Sequence, residues 1–384
     1  MYDVRKVIRK LRDTHRLDGQ EYWQLLSDSD ERDCRLLQSG AREAALSAFG
    51  NRVFVRGLIE ISNHCKNNCL YCGIRSGNGK LRRYRLRKEE ILDCCAKGYA
   101  LGLRTFVLQG GEDAALDDEW LEDLVASVKI RYPDCAVTLS LGEKSEDSYR
   151  RFRAAGADRY LLRHETFNPA HYASLHPAGM SRDRRLACIA TLKRLGYQTG
   201  TGIMVGSPGQ TLDHLVEDLL YIQELKPEMI GIGPFIHHRD TPFRNESDGS
   251  VELCLKLISI FRLMDGQALI PATTALSTLD SQGRRKGILA GANVLMPNLS
   301  PASRRQDYSL YEGKASGGAE SVEGLEELKE ELQGIGYEIA VDRGDYDCGA
   351  NIKNIKNIRK NATKNKAENK TKIFESDGFS AIHE

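Results

Sequence analysis

The sequence predicts a parallel α/β chain closed as a complete (β/α)8 barrel of the TIM type, with helices before it and an extension after it. Three observations carry this expectation. Short apolar runs alternate with longer amphipathic stretches from about residue 51 to 300. The runs number eight, as a closed barrel requires. Residues suited to chemistry fall directly after those runs, on the rim where barrels carry their sites. An open doubly wound sheet is the competing architecture for the same alternation.

The elements follow in order. Val4–Leu11 and Cys34–Phe49 place apolar residues at three- and four-residue steps, so residues 1–50 read as a helical segment. The strand candidates are Val53–Ser62, Thr105–Gln109, Ala136–Leu141, Arg159–Arg163, Gln198–Met204, Met229–Ile232, Ala268–Pro271 and Asn293–Met296. Unbroken runs such as Thr105-Phe106-Val107-Leu108 suit strands covered on both faces. Between them lie helix candidates near 88–102, 117–131, 145–155, 181–195, 210–224, 249–264 and 278–290. Residues 301–348 form a closing segment with a helix over Glu320–Gln333 and a strand over Tyr337–Val341. Residues 349–384 are dominated by Asn and Lys and read as a disordered tail.

Hydrophobic residues make up 41% of the 384, enough for a large core. The formal charge of +1 offers no electrostatic case for nucleic acid or an anionic membrane. No apolar run of about 18 residues is visible, and Met1–Arg16 is charged rather than hydrophobic. A cytoplasmic, soluble protein is expected. The ten cysteines are too scattered for a secreted disulfide framework.

Three of those cysteines, Cys65, Cys69 and Cys72, stand as C-x3-C-x2-C with Tyr71 before the last. Three thiolates can hold three corners of a four-iron cluster and leave one iron open. Zinc would call for a fourth ligand, and no second pair lies at a suitable distance. Incidental buried thiols are the other reading.

The remaining rim residues are coherent with an open iron. Gln109-Gly110-Gly111-Glu112 follow the second strand, Ser140 to Glu143 the third, Arg163-His164-Glu165 the fourth, and Thr273-Thr274 the seventh. Glycines let a ligand approach backbone closely. Buried charges such as Arg163, Glu165 and Arg184 need partners, either one another or a zwitterionic amino-acid group. Thr138 and Ser140, two apart on one strand, face the same side.

The triplet, Tyr71 and Gly110-Gly111-Glu112 resemble the radical S-adenosylmethionine (SAM) superfamily. More narrowly, residues 163–169, 202–206, 231–236, 271–276, 291–298 and Tyr308-Ser309-Leu310-Tyr311 look like the HydE family of FeFe-hydrogenase maturases. The resemblance spans roughly residues 5–345 and implies an oxygen-sensitive enzyme with one 4Fe–4S cluster on Cys65, Cys69 and Cys72. It implies that SAM chelates the open iron and is cleaved reductively to a 5′-deoxyadenosyl radical. Tyr71, Gln109, Gly110, Gly111, Glu112, Thr138, Ser140, Glu165, Arg184 and Tyr308 would then bind SAM. Arg159, Arg163, Thr273, Thr274, Met296, Tyr308 and Tyr311 would line the substrate cavity. The implied substrate is a small molecule or an organometallic iron complex. The implied partners are a reductant such as ferredoxin or flavodoxin and the other hydrogenase maturases, with neither nucleic acid nor membrane involved. The resemblance supplies no catalytic acid or base.

One departure stands out. Many members carry further cysteines after the Tyr-x2-Tyr element, whereas Tyr311 to Tyr346 holds none here and only Cys348 follows. A single cluster is therefore expected. Methylornithine synthase-like or biotin synthase-like chemistry, or a non-catalytic carrier of an iron complex, are the alternatives.

Overall fold

The computed structural model describes residues 3–347; the expected tail at 349–384 lies outside the described residues. Among the described residues nine strands are formed: β1 (Arg52–Val55), β2 (Gly57–Ser62), β3 (Thr105–Gly110), β4 (Ala136–Ser140), β5 (Arg159–Leu161), β6 (Gln198–Val205), β7 (Met229–Pro234), β8 (Val294–Leu295) and β9 (Glu338–Ala340). They pair in two sheets, ordered β2-β3-β4-β5-β6-β7 and β8-β1-β9. Every pairing is parallel.

The parallel α/β class is as expected, but the complete barrel is not seen as one closed sheet. Two features interrupt it. The run Val53–Ser62 breaks at Arg56, whose buried guanidinium bonds the Gly344 carbonyl at 3.4 Å and Met229 Sδ at 3.3 Å. The run Ala268–Pro271 pairs only through single parallel bridges, Met229 with Leu269 and Pro271 with Val294. Pro271 has no amide hydrogen to extend a ladder.

Helices cover the outside of the strands. Those over Asp118–Arg131, Glu146–Ala154, Arg182–Arg194, Leu212–Leu225 and Val251–Met264 each start at an Asp, Ser or Thr. The oxygens of Asp117, Ser145, Ser181, Thr211 and Ser250 accept the third helical amide, the bond that sets where such a helix begins. The helix expected near 278–290 is two short ones, Thr274–Leu279 and Gly283–Leu289. That expected over Glu320–Gln333 begins at Leu325, after two 3-10 turns.

The N-terminal segment holds three helices, Val4–Thr14, Gly19–Ser27 and Glu31–Phe49, the second without a counterpart in the expectation. They dock on the outer helices. His15 Nδ1 meets the Leu263 carbonyl at 2.7 Å, and Gln223 Oε1 accepts from Leu17 N at 3.0 Å and Tyr22 Oη at 2.7 Å. Among the described residues no helix is long and apolar enough to cross a membrane.

Candidate active site

The cysteine loop leaves the end of β2 without regular structure and is fixed from within. Arg83 donates to four carbonyls, those of Asn63, Ile74, Arg75 and Asn78, at 2.5–3.1 Å. Cys65, Cys69 and Cys72 all reach a cavity of about 370 Å³ that opens at the C-terminal ends of the strands. Such a volume suits a small molecule or cofactor.

All nine cysteines among the described residues are free thiols. Burial pushes Cys65 and Cys69 up, and Cys72 to about 12, each thiolate also repelled by its neighbours or by a carboxylate. Such thiols stay protonated unless a metal supplies positive charge, which deprotonates them outright. Among the described residues no three His, Cys, Asp or Glu side chains converge on one metal ion. A cluster presents a separate iron to each thiolate, so its ligands need not share one centre. Cys94, Cys95, Cys135, Cys188 and Cys254 are buried and absent from the cavity wall.

Gly110-Gly111-Glu112 continue from β3 beneath the loop. A Cβ at Gly111 would sit 2.2 Å from the His64 carbonyl oxygen, so only glycine lets the strand end pass under the cysteines. At Gly142, where φ is 75°, a Cβ would lie 1.9 Å from Glu112 Cγ. That gap lets Glu112 fold over the end of β4, where its Oε1 accepts the Glu143 amide at 3.0 Å.

The charged wall comes next. Arg163 and Glu165 both line the cavity, with an N–O separation of 2.9 Å. Arg185 joins them: its Nε donates to Glu143 Oε1 at 2.6 Å, its Nη1 to the Arg163 carbonyl at 2.9 Å, and its Nη2 lies 3.5 Å from Glu112 Oε1. Burial works against its charge, but Tyr172, Glu143 and Glu112 outweigh that and hold its pKa above the usual arginine value. Tyr71 reaches from the loop to His176 Nε2 at 3.2 Å, and burial lowers His176 to about 4.

At the other end the wall consists of Thr273, Thr274, Met296, Tyr308 and Tyr311 with Lys314, Arg284 and Glu320. The Thr274 hydroxyl donates to Glu320 Oε2 at 2.7 Å, and Arg284 Nη2 to Glu320 Oε1 at 2.5 Å. Lys314 meets the fully buried Glu60 at 2.5 Å and the Tyr308 carbonyl at 3.2 Å, tying the strap from Tyr308 to Lys314 across the cavity. Gln109 bonds the Tyr308 hydroxyl at 3.4 Å.

Cys65, Cys69, Cys72, Tyr71, Gln109, Gly110, Gly111, Glu112, Ser140, Arg163, Glu165, Thr273, Thr274, Met296, Tyr308 and Tyr311 are thus brought to one cavity. Three expected residues are not. Arg184 points outward with its side chain 69% exposed, held only at the rear of Glu143; one residue is about 100° of helix, and Arg185 takes the inward position. Arg159 lies at the opposite, N-terminal end of β5, fully buried and bonded to Thr105, Gln198 and the Arg343 carbonyl. It braces the strands and does not line the cavity. Thr138 sits deeper on β4 than Ser140, off the cavity wall, its buried Oγ1 without a hydrogen bond. Arg185, Lys314, Arg284 and Glu320 were missed. Arg185 had a signal: it shares the stripe of Cys188, Ile189 and Leu192 at helical spacing.

The residues fit a cluster and an amino-acid-bearing cofactor. Three thiols face the cavity, Gly111 and Gly142 clear its floor, and the buried Arg163 Nε has no hydrogen-bond partner, while Glu165 Oε2 has only its ion pair with Arg163 Nη2 at 2.9 Å. Buried polar atoms of this kind call for a ligand.

Comparison with known proteins agrees. Residues 59–222 match the Radical SAM superfamily. The FeFe-hydrogenase maturase subunit HydE of Thermotoga maritima is 47% identical over 274 residues, covering 71% of this chain and 78% of that protein. The 3-methylornithine synthase of Methanosarcina barkeri is 30% identical over 79% of this chain and 85% of its own. A solved methylornithine synthase structure superposes with a TM-score of 0.76 at 27% identity, covering 87% of this chain and 97% of its own. The maturase HydG from Carboxydothermus hydrogenoformans shares the fold, with a TM-score of 0.73 at 20% identity over 88% of this chain and 79% of its own.

Fold, thiols and charged wall together define a radical SAM enzyme, one that uses a 4Fe–4S cluster and S-adenosylmethionine. Within that superfamily the chain belongs to the HydE family of FeFe-hydrogenase maturases.

Proposed function

We propose that this enzyme acts in assembling the dinuclear iron subsite of FeFe-hydrogenase, on a small organometallic iron complex held behind the SAM site. The observation that carries this is the single cavity, which joins the three cysteines to a second polar end at Thr273, Thr274, Tyr308 and Tyr311. When bound, the cluster and SAM supply a carbon-centred radical by one-electron reductive cleavage.

The chain's own residues have definite tasks. Cys65, Cys69 and Cys72 hold one cluster, and among the described residues no other cysteine lines the cavity. Glu112 and Glu165 accept from the SAM ammonium, and Arg163 and Arg185 donate to its carboxylate, pairs strengthened by burial. Ser140 and Tyr71 complete that wall. The Tyr308 to Lys314 strap keeps water from the radical, latched by the ion pair of Lys314 with buried Glu60. The bridges at Leu269 and Pro271 support closure of the two sheets into one barrel around this cavity.

The electron comes from outside. On the cysteine loop Lys66, Lys80 and Arg82 lie outermost, above the less exposed Glu112, Asp240 and Asp307. A positive outer layer suits an acidic ferredoxin or flavodoxin. Nine free thiols among the described residues suit a reducing cytoplasm.

The test is a maturation assay with apo-hydrogenase, the other two maturases and this protein. Active hydrogenase should appear only when this chain is added with its cysteines intact. Lysine-dependent turnover without hydrogenase activation would assign it instead to the chemistry of its methylornithine synthase relatives.

A further inference from the structure

Glu165 sits on strained backbone. Its φ is 65°, a region that residues with side chains seldom occupy. The Thr166 amide donates to the His164 carbonyl across it at 2.9 Å, closing a three-residue turn. Conformations of this kind cost energy and persist only where the surroundings impose them.

Glu165 itself is bonded to β6, its amide donating to the Gly202 carbonyl at 3.0 Å and its carbonyl accepting the Met204 amide at 3.3 Å, and the residues on either side of it are held by one outer helix, Leu212–Leu225. His164 points away from the cavity and is fully buried. Its Nδ1 meets Thr201 Oγ1 at 2.8 Å and its Nε2 lies 3.3 Å from Asp218 Oδ1. The same Asp218 oxygen accepts the Phe167 amide at 2.5 Å. One turn along, Tyr221 packs edge-on to His164 at 4.9 Å and stacks on Phe167 at 4.7 Å. The helix therefore grips the chain on both sides of the strained residue. None of His164, Asp218 and Tyr221 lines the cavity.

We infer that Asp218, acting through His164 and Phe167, is a positioning residue that holds Glu165 in its left-handed conformation and so aims its carboxylate into the SAM site. The SAM part of this rests on the function proposed above; the grip itself does not. Without the grip the segment relaxes to ordinary extended backbone. Because side chains alternate along a strand, that relaxation turns Glu165 off the cavity wall.

Two measurements test it. The first is thermal unfolding of the apo-protein in a cycle of Asp218→Ala and Glu165→Gly. Glycine adopts a positive φ freely, so no strain remains to be held. Asp218→Ala should lower Tm by more in the Glu165→Gly background than in the parent, where relaxation of the strained residue recovers part of the lost contacts. Equal losses in both would overturn the inference, since a merely structural Asp218 would not sense the residue at 165. Should Asp218→Ala fail to fold, Tyr221→Leu loosens the same grip and replaces it in the cycle. The second is equilibrium SAM binding to the reconstituted enzyme. Asp218→Ala should weaken it roughly tenfold at unchanged iron content, with Asp218→Asn recovering most of the loss because it keeps an acceptor for the Phe167 amide. If Glu165→Gln weakens SAM binding and Asp218→Ala does not, the positioning role is wrong. If Glu165→Gln leaves SAM binding unchanged, the assignment of Glu165 to SAM fails, and the Tm cycle still judges the grip.

Discussion

Two adjacent arginines on one helix should behave in opposite ways. Arg185 is 7% exposed and meets Glu143, whose side chain is 10% exposed, at 2.6 Å. It also faces Glu112 at 3.5 Å. Arg185→Met preserves much of the side-chain volume and removes the charge. Breaking a buried ion pair from one side costs about 3–5 kcal/mol, because the other charge stays buried. Here Glu143 keeps Arg184 at 3.3 Å and Glu112 keeps Lys66 at 3.4 Å, which places the loss near the lower end. A cost of about 3 kcal/mol is over a hundredfold in the folding equilibrium. Arg184→Ala removes a mostly exposed partner and should stay within about 0.5 kcal/mol. Urea unfolding of the apo-protein reads both as midpoint shifts at unchanged slope. An Arg184→Ala variant as unstable as Arg185→Met would refute the assignment of Arg185 to the inner wall.

Two further outcomes follow from buried titratable groups. Burial first, partly offset by the Tyr172 carbonyl, lowers His176 from the ordinary 6.5 to about 4. Between those values the unfolded chain binds a proton that the folded chain refuses. Stability is therefore full above pH 6.5 and falls as pH drops toward 4, by roughly 2 kcal/mol at pH 5 for this one group. His171, also lowered to about 4, adds to the slope. Tm measured from pH 7 to 5 should fall, and His176→Gln should flatten the curve; an unchanged slope would count against a neutral buried His176. Lys314→Met should destabilise the chain by about 3 kcal/mol by leaving buried Glu60 without its cation. Adding Glu60→Gln should recover most of that in a thermal melt, and no recovery would mean that the strap is held by something else.

The parallel architecture and the chemistry-bearing rim were legible because both depend on local signals, apolar runs and the polar residues that follow them. What was not legible depended on contacts between distant segments. The break at Arg56 comes from the Gly344 carbonyl and Met229, neither of which a local run can indicate. The loss of the strand near Ala268–Pro271 follows from a proline placed where a ladder amide was needed. Arg159 was taken as cavity-lining from the family resemblance. Its place on a strand gives the face and not the depth, and Arg159 lies at the far end of its strand among Thr105, Gln198 and the Arg343 carbonyl. Arg184 was an error of helical phase by one residue. Ser181, which caps the helix by accepting the Arg184 amide, marks where that helix begins, and the stripe through Cys188, Ile189 and Leu192 settles the phase in favour of Arg185. Lys314, Arg284 and Glu320 had no motif to reveal them; the fold alone gathers them at the cavity.

Anaerobic reconstitution followed by dithionite and SAM tests directly whether Cys65, Cys69 and Cys72 hold a single cluster that is open to SAM. About four irons per chain and 5′-deoxyadenosine as product are expected, both lost in Cys69→Ala. A fully loaded protein that forms no 5′-deoxyadenosine, or one that binds about eight irons, would contradict this reading.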